Sequence, residues 1–344
     1  MVFMTLKNTL LLWLFLVFSC GKGINNPDAP KTAAVQEHPS EKPVVTGAGA
    51  TEAYLPLLRG KKTGVVANQT SIIGAGTHLV DSLLALGVTV TKVFAPEHGF
   101  RGTADAGERI QDGTDPNTGL PVISLYGNNK KPTKAQLTGL DIVVFDIQDV
   151  GARFYTYIST LDYVMEACAE AGVPVMVLDR PNPNGHYVDG PVLEPEYRSF
   201  VGMHPVPVVH GMTIGEYAKM INGEGWLADG KQCELIVIPI KNYDHNTAYS
   251  LPVKPSPNLP NDKAVNLYPS LCFFEGTNVS VGRGTDMQFQ VYGSPFLPER
   301  GFRFVPEPNE GAKKPPYQGT ICYGEDLRNA ARLNRISLQW LIKA

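Results

Sequence analysis

Short apolar runs recur along the chain from about residue 62 onward, and most of them end in polar residues. They are rich in valine and isoleucine and are bounded by glycine or proline, a pattern typical of buried parallel strands. Five such segments predict five strands: KTGVVAN (62–68), GVTVTKVFAPEHG (87–99), GLDIVVFDIQDVG (139–151), GVPVMVLDRPNPNG (172–185) and CELIVIPI (233–240).

Segments with helical periodicity lie between these strands. Residues 77–87 place leucines on one face and end at a glycine, and residues 158–172 do the same with a longer apolar stripe. A third helix opens with Thr213, and Glu216 follows three residues later as in a capping box, so we expect Glu216 to be structural. This alternation predicts an α/β fold, a mostly parallel sheet with helices on both faces.

Polar residues follow four consecutive predicted strands. Ligands bind beyond the carboxyl ends of the strands in open α/β sheets, so these residues would share one edge. Any one of them alone is explained by a turn or a helix cap, but four strand ends together favour a polar cleft. The residues are Asn68; Glu97 and His98; Asp146, Gln148 and Asp149; and Asp179, Arg180 and Asn182.

Charge and motifs exclude several functions. The formal net charge is -3, without the basic character of a nucleic-acid-binding protein. No GxGxxG follows the first strand, no GxSxG or HExxH occurs, and the histidines are scattered. We therefore expect no cofactor, no metal and no nucleic acid. Carboxylates, amides, arginines and tyrosines remain, which suit a sugar with a charged substituent.

Glu97 is the candidate catalytic acid. Breaking a glycosidic bond needs a proton donor at the leaving oxygen, and a second carboxylate or the acetamido group of the sugar to stabilise the oxocarbenium-like centre. Glu97 follows Pro96 at a strand end, and His98 would orient it or bind substrate. The alternative for Glu97 is an exposed loop carboxylate.

Six blocks in order resemble the exo-β-N-acetylmuramidases of the NamZ type, glycoside hydrolase family 171, which are peptidoglycan-recycling enzymes. The likeness runs from about residue 52 to near the end of the chain. The blocks are NQTS (68–71), FAPEHGFRG (94–102), VFDIQDVGARFYTYISTL (144–161), LDRPNPNG (178–185), HGMTIGE (210–216) and FEGTNVSVGRGT (274–285).

The resemblance implies a Rossmann-like catalytic domain, which we place at residues 49–240, and a smaller α+β auxiliary domain at 241–344. It implies an active site in the cleft between the domains and release of N-acetylmuramic acid from the non-reducing ends of peptidoglycan fragments. The catalytic glutamate of the family corresponds to Glu97. Asp149 and Glu275 are candidates for a second catalytic carboxylate, and the acetamido group of the sugar would make one less necessary.

Muramic acid carries a lactyl carboxylate, which an arginine binds well through two parallel hydrogen bonds. Three arginines stand in family-like blocks, and we prefer Arg283 because flanking glycines let its backbone approach a ligand. Each arginine is equally explained by a structural ion pair, for example with Asp146 or Asp179. Tyr155 and Tyr157 would form an aromatic platform. The predicted substrate-binding residues are Asn68, His98, Arg153, Tyr155, Arg180, Asn182 and Arg283.

Two other functions use the same residues. An anchored muropeptide-binding protein without catalysis would need the same polar cleft. An esterase or amidase acting on wall material would need an activated serine or cysteine, and none is apparent.

The N-terminus resembles a bacterial lipoprotein signal peptide. Lys7 precedes an apolar run over residues 10–18, and LVFSC (16–20) resembles a lipobox. We expect residues 1–20 to be the signal peptide, Cys20 to be lipidated, and residues 21–48 to be a flexible tether. The protein would be membrane-anchored, periplasmic or in the outer membrane. The alternative is cleavage elsewhere, with Cys20 incidental.

The C-terminal third has weaker patterns. We predict a long ordered loop or domain crossover over residues 242–270, then loops with short strands over 275–296. A last helix would be capped by Ser337. NamZ-type proteins extend beyond the position of Ala344, so we expect a truncated auxiliary domain.

Overall fold

The computed structural model describes residues 42–74, 76–102, 111–299 and 301–344. The predicted signal peptide with Cys20, and the predicted tether up to residue 41, lie outside the described residues. The rest of the predicted tether, residues 42–48, belongs to the fold rather than to a flexible segment: Val45 pairs with Lys241, and Gly47 N donates to Asp179 O at 2.7 Å. The strands of the described part are β1 Lys62–Ala67, β2 Ile72–Ile73, β3 Thr77–His78, β4 Thr89–Ala95, β5 Gly113–Thr114, β6 Pro121–Ser124, β7 Ile142–Asp146, β8 Val175–Leu178, β9 Leu235–Ile238, β10 Val291–Ser294, β11 Phe302–Phe304 and β12 Cys322–Asp326.

The helices are shorter on average than the sequence patterns suggest, and 3-10 turns lie at Gly47–Gly49, Pro195–Tyr197, Ala228–Gly230 and Cys272–Gly276. The α-helices of the described part are α1 Thr51–Leu58, α2 Leu79–Ala85, α3 Lys134–Leu137, α4 Tyr157–Ala171, α5 Ile214–Gly223, α6 Asp262–Leu271 and α7 Gln339–Lys343. No helix in the described ranges is both long and apolar enough to cross a membrane.

The central sheet has seven strands in the order β5-β6-β4-β1-β7-β8-β9. All neighbours are parallel except β5 and β6, which form an antiparallel edge. If the parallel strands are numbered along the chain, the sheet reads 3-2-1-4-5-6, the Rossmann order, with its switch point between β1 and β7. The predicted Rossmann-like fold is confirmed.

Helices cover both faces of this sheet. Alternate residues of β7 point to opposite sides, so Val143 and Phe145 join one apolar cluster with α4 and α5, while Ile142 and Val144 join another with α1 and α2. Both faces of the strands are buried, which explains their continuous apolar runs. The fully buried thiol of Cys168 packs in the first cluster.

Local signals at helix ends are mostly confirmed. Thr213 and Glu216 form the predicted capping box: Glu216 Oε2 accepts from Thr213 N at 2.9 Å, and Thr213 Oγ1 accepts from Glu216 N at 3.2 Å. Helix α4 ends at Gly172, which adopts the left-handed conformation with φ 68°. The predicted cap at Ser337 is wrong, because α7 begins one residue later with Leu338 at its N-cap and Ser337 N donates to Ser270 Oγ.

The predicted loop over 242–270 contains a helix. Helix α6 begins after Asn261, whose Oδ1 accepts from Ala264 N at 3.0 Å, and it includes Pro269. The proline-rich stretch before it and the proline within it hid the helical pattern, and burial of its apolar face overrides that propensity.

The C-terminal part adds an antiparallel sheet in the order β10-β12-β11. Helix α6 and the side chains of Phe289 and Tyr292 pack into the same apolar cluster as α4 and α5. The smaller C-terminal α+β unit therefore rests directly on one face of the Rossmann-like sheet. The domain boundary at 240/241 stays a prediction.

Candidate active site

A cavity of about 230 Å³ lies where the carboxyl ends of β4, β6 and β7 meet the C-terminal part. The sheet side contributes residues that follow these strands, and residues 200–201 add to it. The C-terminal side contributes α6 and the segments before and after it. The lining residues are Glu97, His98, Tyr126, Phe154, Tyr155, Thr156, Tyr157, Phe200, Val201, Ser256, Asn258, Leu259, Tyr268, Glu275, Arg283 and Phe289. The cavity brings together five predicted site residues: Glu97, His98, Tyr155, Glu275 and Arg283.

Glu97 sits in a tight turn at the end of β4. Gly99 N donates to Pro96 O at 3.0 Å, and His98 in the turn has a left-handed φ of 70°. A residue other than glycine in this conformation is strained, and such strain clusters at functional sites. The turn directs Glu97 into the cavity and buries His98 beside it.

Two hydroxyl groups contact the Glu97 carboxyl. Thr156 Oγ1 donates to Glu97 Oε2 at 3.3 Å. The Tyr126 hydroxyl also hydrogen-bonds Glu97, and burial together with the nearby negative charge raises the pKa of Tyr126 well above its ordinary value. Tyr126 therefore stays a neutral donor, and Glu97 is held by one residue that follows β6 and one that precedes helix α4.

Aromatic rings form the floor of the cavity. Tyr155 and Tyr157 are 4.9 Å apart with an interplanar angle of 78°, so they form a corner rather than the single flat platform that their spacing predicts. Their hydroxyls donate to Pro255 O at 2.9 and 3.4 Å. Tyr268 of α6 meets the Tyr155 ring edge-on at 5.7 Å, which ties the C-terminal part to this floor.

Arg283 and Glu275 form an ion pair that also lines the cavity. Arg283 Nε and Nη2 each lie 2.6 Å from Glu275 Oε1. The other carboxylate oxygen accepts from the Cys272 thiol at 3.7 Å, and burial followed by the Glu275 charge raises the pKa of Cys272 to about 12. The arginine that shares the cavity with the predicted acid thus has a carboxylate partner.

The glycines around Arg283 are required by the fold. Gly282 and Gly284 have φ values of 81° and 80°, and a Cβ at either would lie within 2.7 Å of Val291 or Pro315. We predicted that they allow a ligand to approach the backbone; in the structure the close neighbours are protein atoms.

Asp149 does not line the cavity. Its Oδ2 accepts from Gly151 N at 2.7 Å and lies 3.6 Å from His210 Nε2. Burial raises the pKa of both Tyr155 and Tyr157 in the cavity floor, and the negative charge of Asp149 adds a smaller contribution in the same direction. Of the two candidates for a second catalytic carboxylate, only Glu275 shares the cavity with Glu97.

Arg180 is used in a buried ion pair. Its Nε and Nη2 donate to the two oxygens of Asp146 at 2.6 and 2.9 Å, and Nη2 also donates to Ile72 O at 3.0 Å. Arg180 thus forms the structural ion pair with Asp146 that the sequence analysis gave as the alternative to substrate binding.

Asn68 and Asn182 make local turns and are not among the residues that line the cavity. Asn68 Oδ1 accepts from Thr70 N and Thr70 Oγ1 at 2.9 and 2.6 Å. Asn182 Oδ1 accepts from Asn184 N at 2.8 Å, while its Nδ2 donates to Met212 O. The Asn68 side chain also hydrogen-bonds Tyr157 and so supports the floor of the cavity from outside the lining.

Arg153 holds backbone rather than a ligand. Its Nη1 donates to Pro191 O at 2.7 Å and to Val206 O at 2.6 Å, and burial lowers its pKa. Sequence reasoning missed Tyr126 and Thr156, which both contact Glu97. Thr156 lies inside the block at 144–161, whereas Tyr126 follows β6, whose sequence PVIS opens with a proline and has only two adjacent apolar residues after it.

The fold and the cavity define a glycosidase-like protein: a glutamate held by hydroxyls faces aromatic rings and an arginine at the edge of a Rossmann-like sheet. The chain belongs to the NamZ family. The family model described as exo-beta-N-acetylmuramidase NamZ, N-terminal, matches residues 63–263, and the corresponding C-terminal model matches residues 266–344.

Similar proteins agree with this assignment. The peptidoglycan beta-N-acetylmuramidase NamZ of Bacillus subtilis (strain 168) is 43% identical over 297 residues, which is 80% of this chain and 69% of that protein. Two crystal structures of DUF1343 family proteins from Bacteroides fragilis NCTC 9343 share the fold. BF0379 is 47% identical with a TM-score of 0.81, covering 88% of this chain and 82% of that chain. BF0371 is 31% identical with a TM-score of 0.75, covering 86% and 79%.

Proposed function

We propose that the protein is an exo-acting glycoside hydrolase that releases N-acetylmuramic acid from the non-reducing ends of peptidoglycan fragments. The observation that carries this proposal is the Glu97 carboxyl, held by Thr156 and Tyr126 in a cavity that also contains the Arg283–Glu275 pair. The relative from Bacillus subtilis, named as a peptidoglycan beta-N-acetylmuramidase, supports the same substrate class.

Glu97 acts as the general acid. Its proton passes to the glycosidic oxygen as the bond from that oxygen to the anomeric carbon breaks, and the leaving sugar departs as an alcohol. The oxocarbenium-like centre is stabilised either by Glu275 or by the acetamido oxygen of the muramic acid. Water then adds to the anomeric carbon and returns a proton to Glu97, which restores the enzyme.

The lactyl carboxylate distinguishes muramic acid from glucosamine. Arg283 is the cation in the cavity lining, and Glu275 fixes its guanidinium while leaving further N–H donors for a ligand. Arg153 and Arg180, the other two candidates, are occupied by carbonyl groups and by Asp146. Arg283 is therefore the residue that binds the lactyl carboxylate in this proposal.

A chromogenic β-N-acetylmuraminide tests the function. A muramidase releases the chromophore, whereas a muropeptide-binding protein binds the compound without releasing it, and an esterase or amidase leaves the glycosidic bond intact. The matching β-N-acetylglucosaminide is the control substrate. No release above background from the muraminide, by folded protein that binds it, would favour the binding protein.

We also propose that the enzyme is an exported lipoprotein, anchored in a membrane through Cys20 and located in the periplasm or the outer membrane. The support is the sequence alone: Lys7, the apolar run over 10–18 and the LVFSC motif. This location would place the enzyme near its polymeric substrate.

A further inference from the structure

Two residues define the mouth of the cavity. Among the residues that line it, Val201 and Glu275 are exposed, with Val201 at 56%, while the others are buried or half-buried. A residue that lines a cavity and is also exposed lies where the cavity meets solvent. A glycan whose terminal sugar sits beside Glu97 therefore leaves the cavity past Val201 and Glu275.

Val201 belongs to a segment that we term the mouth loop, residues 191–206. Arg153 holds both ends of this loop, because its Nη1 donates to Pro191 O and to Val206 O. Leu193 N also donates to Val206 O at 3.2 Å, which closes the base of the loop. The first part of the mouth loop, residues 191–199, is exposed to solvent apart from the half-buried Leu193.

The tip of the mouth loop rests on α4 through Phe200. Ser159 Oγ donates to Phe200 O at 2.7 Å, and the Phe200 ring stacks on Tyr163 with centroids 6.1 Å apart. The Lys130 ammonium lies 4.3 Å from the centroid of the same ring. These contacts fix Phe200 in the cavity wall and leave Val201, the next residue, at the mouth.

One short segment sets both the mouth loop and the acid. Arg153 is followed directly by residues 154–157, which all line the cavity, and Thr156 contacts Glu97. Replacing Arg153 would release the two ends of the mouth loop, because its hydrogen bonds to Pro191 O and Val206 O would be lost. Glu97 would keep its position, because it lies in the separate turn after β4.

We propose that the mouth loop is the surface against which the leaving group packs, that is, the sugar linked to the terminal muramic acid, and that Arg153 is the positioning residue for this surface. The C–H face of a sugar packs on aliphatic and aromatic side chains, and Val201 offers such a contact beside the acid. The proposal rests on the proposed function, since it assigns the leaving-group side of the same site.

The test compares two ligands that differ only in the leaving group. The KM and kcat for a disaccharide of N-acetylmuramic acid linked to N-acetylglucosamine report on both subsites, and the inhibition constant of free N-acetylmuramic acid reports on the terminal subsite alone. The variants are Val201→Ala and Arg153→Gln. Arg198→Gln, an exposed arginine of the same loop that does not line the cavity, is the control.

We expect Val201→Ala and Arg153→Gln to raise the KM for the disaccharide about fourfold to fifteenfold, the effect of losing one or two buried methyl-sized contacts. The inhibition constant and kcat should stay close to those of the wild type. The thermal midpoint should stay unchanged in Val201→Ala and fall in Arg153→Gln, because the latter loses two hydrogen bonds to the backbone. The double variant should be no worse than the poorer single variant, because both act through the same contact.

A rise in the inhibition constant equal to the rise in KM would overturn the proposal, and so would additive effects in the double variant. An unchanged KM in Val201→Ala would overturn it as well, and this variant decides the question if Arg153→Gln does not fold. A wild-type protein that cleaves neither the disaccharide nor a chromogenic muraminide would contradict the proposed function instead.

Discussion

Thr156 Oγ1 donates a hydrogen bond to Glu97 Oε2 across 3.3 Å, which joins the residue before helix α4 to the turn after strand β4. The two residues are far apart in sequence, and the parallel order of β4, β1 and β7 brings them to one edge of the sheet. The hydrogen bond orients the carboxyl of the proposed acid toward the cavity.

Replacing Thr156 with valine removes this hydrogen bond while keeping the shape of the side chain. We expect kcat to fall by about tenfold or less, because one hydrogen bond contributes ~0.5–1.5 kcal/mol. The KM and thermal midpoint should change little. Thr160→Val, in the first turn of helix α4 but outside the cavity lining, is the matched control. Equal losses of kcat in both variants would show that Thr156 acts by stabilising the start of the helix and not by contacting Glu97.

Arg283→Ala should reduce kcat/KM on the muraminide by about tenfold to a hundredfold, since a hydrogen bond to a charged group contributes ~1.5–3 kcal/mol. Activity on the matching glucosaminide, however small, should be spared because that sugar has no lactyl carboxylate. Steady-state kinetics on both chromogenic substrates checks this.

Removal of Arg283 also deprives Glu275 of its ion-pair partner, and this loss affects both substrates alike. The ratio of the activities on the two substrates is therefore the decisive quantity. If both substrates lose activity equally in Arg283→Ala, Arg283 does not bind the lactyl carboxylate.

The buried Arg180–Asp146 pair supports the fold rather than the chemistry. Arg180→Met should lower the free energy of unfolding by about 3–5 kcal/mol, because it leaves the fully buried Asp146 carboxylate without its partner. The double variant with Asp146→Leu should recover part of this loss. Denaturant titration measures both, and a stable Arg180→Met protein that had lost only activity would return Arg180 to the substrate-binding residues.

Cys20→Ala should abolish attachment of lipid. Metabolic labelling with a fatty-acid probe, followed by fractionation of membranes, compares this variant with the wild type. Unchanged labelling would show that Cys20 is not the acylated residue, and Cys168→Ala controls for labelling of an internal thiol that the structure buries.

Five of the seven strands of the central sheet could be predicted, because each reads as an apolar run. Of these, β1, β7 and β8 are buried almost throughout. Polar residues at strand ends were a weaker guide to the site. Arg180, Asn182 and Asn68 follow strands, as Glu97 does, yet none of them lines the cavity. Arg180 pairs with Asp146, and the two asparagines bond backbone groups. Which strand-end residue faces a cavity depends on side-chain direction and on the segments that cover the edge.

The missed features share a physical cause. Helix α6 follows a proline-rich stretch, and β6 opens with Pro121 and has only two adjacent apolar residues after it, so neither has a distinct pattern. Tyr126 and Tyr268 reach the cavity from these two elements. Their roles come from tertiary packing, which no local pattern records.

Glu97→Gln tests the central claim most directly, because it keeps the shape of the side chain and removes the proton donor. We predict that kcat on the chromogenic muraminide falls by ~10²–10⁴-fold while the thermal midpoint and the binding of free N-acetylmuramic acid stay near the wild-type values. Near-normal turnover by the folded variant would contradict the role of Glu97 as the acid.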